Sequence, residues 1–203
     1  MRKVGAAGAA APRIAHLDRD RALVEAARRD PSQFDALYRR YLAQVYSFAY
    51  YELGDHHAAE DATERTFLSA LANIHRFEER ARPADGEGAS TFRVWLFRIA
   101  RNAIANQRRT VRRRPTAPIE AAAIVADPLD VEGDAVRREE GSAAWLAVGR
   151  QPTDRRRALI LRFVDEMSTA EIAGVMGRSE GAIRVLIHRA LRSVGRDLRG
   201  RSR

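Results

Sequence analysis

The chain has 203 residues, 36 Lys and Arg against 27 Asp and Glu, and a formal net charge of +9, with Lys3 the only lysine. That balance favours an anionic partner, and guanidinium forks suit phosphates and guanine edges. The absence of cysteine excludes disulfides and thiolate metal sites, as a reducing cytoplasm would favour, and no stretch of about 18 apolar residues exists to span or insert into a membrane.

The opening MRKVGAAGAAAPRIA has a basic tip, but its Ala/Gly run is too weakly apolar for a signal peptide and reads as a disordered leader. Helical periodicity and most of the aromatics occupy residues 18–114. A short helix over Arg19 to Arg29 ends before Asp30-Pro31, because proline restricts the residue before it. A second helix over Ser32 to Leu53 carries Phe34, Leu37, Tyr38, Tyr41, Leu42, Val45 and Phe48, then meets Gly54. Asp55 caps a third helix, running to Ile74 with Phe67, Leu71 and Ile74 inward. After the loop RPADGEGAS, Ser90 or Thr91 starts a fourth helix through Phe92, Leu96, Ile99 and Ala103. Residues 115–133, with three prolines and several acidic groups, read as a linker, and helical signals return over 134–203. No strand, hairpin or repeat pattern is visible. The fold class is therefore all-α, with two small helical domains joined by a flexible acidic linker.

Two segments carry the chemistry. The first is the helix-turn-helix STAEIAGVMGRSEGAIRVLIHRALR. Ser168 and Glu171 form a capping box, Ile172, Val175 and Met176 an apolar stripe, and Gly177 a left-handed stop. Ser179 caps a second helix whose Ile183, Ile187, Ala190 and Val194 face inward, leaving Gly181, Arg184, Val185, His188 and Arg192 outward. A basic outer face on the second of two short helices matches insertion into the major groove; an ordinary helix pair is the plainer alternative. The second segment is the end of the fourth helix. Arg93, Arg98, Arg101, Arg108, Arg109, Arg112, Arg113 and Arg114 lie in a stretch without an acidic residue from Thr91 to Ile119, with Trp95, Asn102 and Asn106 interleaved. A solvated helix normally mixes signs, so the run points to a phosphate backbone, with asparagines for base edges. Trp95 by itself reads as core. His56 and His57 with Glu60 and Asp61 supply at most two metal ligands on one face, which makes no site. No nucleophile–base set or phosphate loop stands out; neither catalysis nor a cofactor nor a bound metal is expected.

The order of these segments resembles the small two-domain sigma factors of bacterial RNA polymerase, the extracytoplasmic-function group. AAEDATERTFLSAL resembles the family's polymerase-clamp helix. FRVWLFRIARNAIANQRR resembles its melting and downstream-element segment, and PTDRRRALILRFVDEMSTAEIAGVMGRSEGAIRVLIHRAL its upstream-element reader. The resemblance implies core-polymerase binding by Glu60, Asp61, Glu64, Arg65 and Leu68. Glu64 and Arg65 depart from the family's usual Gln and Glu. It implies downstream-element contacts by Arg98, Arg101, Asn102, Asn106, Arg108 and Arg109, and upstream-element contacts by Ser179, Arg184, Val185, His188, Arg189 and Arg192. Val185-Leu186 replace a more polar pair, so the upstream sequence read differs from the family's commonest. The implied partners are core RNA polymerase, promoter DNA and an anti-sigma factor. The acidic linker either threads basic polymerase channels or is a plain tether. An autonomous helix-turn-helix regulator, with the first domain as sensor, is the alternative; a nonspecific nucleic-acid-coating protein fits the ordered recognition helix less well.

Overall fold

The computed structural model describes residues 15–78, 91–113 and 143–201, and every regular element among them is helical. The leader, the loop RPADGEGAS and the linker 115–133 lie outside the described residues. In chain order the helices are α1 (Ala15–Arg29), α2 (Asp35–Leu53), α3 (His56–Asn73), α4 (Thr91–Arg113), α5 (residues 143–149), α6 (Thr153–Phe163), α7 (Thr169–Met176) and α8 (Glu180–Arg201).

Local chemistry sets the boundaries. α1 starts earlier than the expected Arg19, and the helix expected from Ser32 divides in two. The Asp30 carboxylate accepts the Ser32 amide at 2.9 Å with Pro31 in first position, which winds Pro31–Phe34 into a tight 3-10 turn before α2 begins at Asp35. Gly54, at φ 72°, closes α2, and Asp55 then accepts the Ala58 amide at 2.7 Å to start α3. The capping box forms: Glu171 donates its amide to Ser168 Oγ at 3.2 Å, and Ser168 donates its own to Glu171 Oε2 at 2.9 Å. Gly177 is left-handed at φ 67°, and Ser179 Oγ accepts the Ala182 amide at 3.2 Å.

Leu37, Tyr41, Val45 and Phe48 of α2 meet Ala59, Ala62, Phe67 and Ala70 of α3, and Phe92, Leu96, Phe97, Ala100 and Ile104 of α4. Small alanines let α3 approach closely, while each fully buried Leu, Ile or Phe contributes about 1.5–3 kcal/mol. Leu71, expected inward, is 37% exposed. It lies three residues beyond Leu68 on the same face, away from the row holding Phe67 and Ala70.

The core does not stop at the end of the first helical unit. Leu161, Ile172, Val175 and Ile183 of α6, α7 and α8 belong to the same contiguous cluster, with a satellite of Ala147, Leu159, Ala190 and Val194. α4 packs on α7 so tightly that a Cβ at Gly174 would lie 2.7 Å from Val94 Cγ1. Trp145 of α5 stacks on Tyr51 of α2, with ring centroids 4.6 Å apart.

Candidate nucleic-acid interface

α4 presents two adjacent faces that behave differently. Arg98, Asn102, Asn106 and Arg109, spaced four, four and three residues apart, form one exposed stripe. Arg109 Nη2 donates to Asn106 Oδ1 at 2.8 Å, leaving the Asn106 amide nitrogen on the surface side of the pair. Val94, Arg101 and Arg108 recur every seven residues on the neighbouring face, which turns toward the second unit. Arg101 Nη1 donates to the Val175 carbonyl at 2.9 Å, and Arg108 pairs with Glu52 at 2.8 Å. Burial lowers the guanidinium pKa of both. Of the six residues expected at the downstream element, four are therefore displayed and two engage protein oxygens. Trp95 is half-buried, its ring 5.3 Å from Phe77 and 5.7 Å from Phe92.

On α8 the expected outer face is entirely exposed: Ser179 at the cap, then Arg184, Val185, His188, Arg189 and Arg192. Val185 is 50% exposed, an apolar group in the middle of a basic surface. That placement suits a thymine methyl. Glu180 and Arg184 pair at 3.1 Å. Such an exposed bond gives way readily to a base edge.

A third surface lies on the far side of α4. Phe34 of the 3-10 turn, Tyr38 and Leu42 of α2, and Phe67, Leu68 and Leu71 of α3 line an apolar groove of about 390 Å³, with Glu60 and Glu64 at its edge. Leu68, at 58% exposure, is the most open of the large apolar residues among those described. Asp61 and Arg65 are exposed too, but they turn from the groove to Gln107 of α4. Arg65 donates to Gln107 Oε1 and Gln107 Nε2 donates to Asp61 Oδ2, each at 3.1 Å. The five residues expected to bind polymerase thus divide: Glu60, Glu64 and Leu68 at the groove, Asp61 and Arg65 bracing α3 on α4. His56 Nδ1 sits 2.7 Å from the Tyr46 hydroxyl and His57 pairs with Glu60 at 3.6 Å; no cluster of three metal-ligating side chains exists among the described residues.

Sequence reading missed the charges between the two units. Glu52, near the end of α2, has a fully buried side chain and receives Arg157 of α6 through two bonds of 3.1 and 3.2 Å, as well as Arg108. Arg93 reaches Glu171 at 3.7 Å and donates to the Asp165 carbonyl. The groove row on α2 carried a signal that periodicity alone did not use. Phe34, Tyr38, Leu42 and Tyr46 form a second apolar row beside Leu37, Tyr41, Val45 and Phe48, which is wider than one buried stripe requires.

Two outward basic and polar faces on separate helices, one of them the second helix of a helix-turn-helix, lie beside an uncovered apolar groove, the layout expected of a promoter-reading subunit that docks on a larger machine. The comparisons agree. Residues 37–114 match the family Sigma-70 region 2, and residues 146–194 match Sigma-70, region 4. The chain belongs to the extracytoplasmic-function (ECF) sigma factors of the sigma-70 family, the subunits that direct RNA polymerase to promoters in transcription initiation. It is 37% identical over 169 residues to the ECF RNA polymerase sigma factor BldN of Streptomyces coelicolor, covering 81% of this chain but 60% of that protein. It is 31% identical over 167 residues to the ECF RNA polymerase sigma factor SigC of Mycobacterium tuberculosis, covering 82% of this chain and 84% of that one. The fold is similar to that of the sigma factor RpoE of Bartonella quintana, solved with the anti-sigma factor NepR, at a TM-score of 0.63 and 23% identity over 82% of this chain and 96% of that one. The autonomous-regulator alternative is not favoured. Among the described residues no helix is long and apolar enough to cross a membrane.

Proposed function

We propose a division of labour among the three surfaces. The groove between α2 and α3, centred on Leu68 and edged by Glu60 and Glu64, binds core polymerase. The exposed stripe of α4 captures bases of the melted downstream element, with Arg98 and Arg109 on phosphates and Asn102 and Asn106 on base edges. The outer face of α8 reads the upstream element as duplex, through Arg184 and Arg189 on base edges or phosphates and Val185 on an apolar base group. The protein acts in the cytoplasm, contributes no catalytic group of its own, and is held by an inhibitory protein of the anti-sigma class, as the Bartonella quintana sigma factor was solved with one.

The observation that carries this reading is the α4 stripe: two neutral amides, Asn102 and Asn106, set between Arg98 and Arg109, all facing solvent in a helix whose other faces are occupied. Neutral donor–acceptor groups in line with guanidiniums add little to phosphate binding but suit extruded bases. Asn102→Ala with Asn106→Ala leaves net charge unchanged, so duplex binding by the holoenzyme changes little. Open-complex formation falls, because unstacking costs a few kcal/mol per base and the capture that offsets it is gone. Run-off transcription on duplex and pre-melted bubble templates, side by side, measures this; the bubble restores part of the activity. Equal loss on both templates assigns the asparagines to packing instead.

A further inference from the structure

Between the two units lies a cavity of about 430 Å³, walled by α1, α2 and α4 on one side and the α6–α7 turn on the other. Asp165 stands in that turn, 3% exposed, and neither of its carboxyl oxygens has a hydrogen-bond partner among the described residues. The charged groups around it are already engaged. Asp20 of α1 takes the Tyr41 hydroxyl at 2.6 Å and Arg40 of α2 at 3.1 Å. Arg93 of α4 serves Glu171 of α7 and the backbone oxygen of Asp165. Arg162 of α6 donates to the Met167 carbonyl at 2.9 Å, and Glu166, beside Asp165, is half-buried. A carboxylate buried without a donor to either oxygen is costly, while a carboxylic acid in the same place is not.

We propose that contact between the two units is a proton-operated closed state, which Asp165 enters protonated and which holds Arg101, bonded to the Val175 carbonyl of α7, away from DNA until the proton leaves. That Arg101 is wanted by promoter DNA rests on the function proposed above; the proton linkage itself does not.

Burial pushes the Asp165 carboxyl up to about 8, against partial opposition from Arg93, whereas its ordinary value is 3.8. Once the units part and water reaches it, the lower value applies. The closed form therefore binds one more proton than the open form between those limits. The contribution is complete below the lower value and is lost as pH rises to the upper one, so the ratio of closed to open falls about tenfold per pH unit within the window.

The test uses the free full-length chain, without polymerase or DNA. The sequence has no cysteine, so Ala72→Cys and Ala182→Cys, both at exposed sites, accept a donor and acceptor dye. Energy transfer should fall between pH 6 and pH 8, tracking an approximately hundredfold drop in the closed-to-open ratio. Asp165→Asn, neutral at every pH, should keep the closed-state transfer throughout. A flat wild-type response, or an unchanged slope in Asp165→Asn, overturns the proposal. If Asp165→Asn does not fold, the carbon-13 shift of the wild-type Asp165 carboxyl decides. A midpoint raised to the pH range of the fall in energy transfer supports the linkage; one that stays near the ordinary value of 3.8, or falls outside that range, ends it. Transcription assays test the promoter reading separately, so the two failures are distinguishable.

Discussion

At the scale of single residues, Glu52 is the most consequential group that charge patterning did not single out. Its side chain is wholly buried and its carboxylate answers both Arg108 and Arg157. Removing one partner of a buried ionic cluster leaves the rest desolvated and uncompensated. Glu52→Ala should therefore cost about 3–5 kcal/mol, read as a lower midpoint in urea unfolding. Glu52→Gln, which keeps the shape and one acceptor oxygen, should cost less. The sequence around it, YYELGD, reads as an ordinary charged helix end. Its partner Arg157 is 105 positions away, and nothing local announces a pairing at that distance. Arg184 and Arg192 were legible for the opposite reason: local periodicity alone turns them outward, and the structure exposes them.

At the scale of elements, the turn chemistry was readable almost to the residue. The Asp55 and Ser168 caps and the Gly54 and Gly177 stops all follow from side chains within four positions. Faces were less legible than boundaries, because an apolar row facing a core and one facing a partner have the same period. Leu71 and Tyr38 show this: periodicity places Leu71 inward and sets Tyr38 in the apolar pattern of its helix, yet both line the groove with more than a third of their surface exposed. An apolar groove left open beside a complete core marks an interaction surface. Leu68→Asp should abolish assembly with core polymerase in a pull-down, while circular dichroism of the free protein stays unchanged. Loss of helix in that variant would mean that Leu68 supports the fold rather than an interface.

At the scale of the whole molecule, the two units share a core that composition does not foreshadow. The arginines of α4 were read as facing phosphate, and two of them meet a carboxylate and a carbonyl instead. The chemistry is the same, since a guanidinium seeks anionic or dipolar oxygen whatever carries it. Sequence could name the preference but not the occupant. The approach of α7 to α4 gives a way to separate the units without touching any charge. A side chain at Gly174 would press on Val94, a stiff β-branched group that has little room to yield. Gly174→Leu should increase the radius of gyration in small-angle scattering at every pH. It should leave helix content intact, since leucine favours a helix over glycine by about 0.8 kcal/mol. An unchanged radius would show that the contact tolerates a wedge.

The groove at α2 and α3 stays uncovered while Arg101 of α4 is held by α7, and this imposes an order on assembly. A chain in the closed form can already present Leu68 to a docking partner, yet it lacks Arg101, one of the cations that promoter DNA would require. Recruitment therefore comes first and DNA engagement second. The free energy of docking can be drawn upon to part the two units, so a factor not yet seated on its machine remains a poor ligand for DNA.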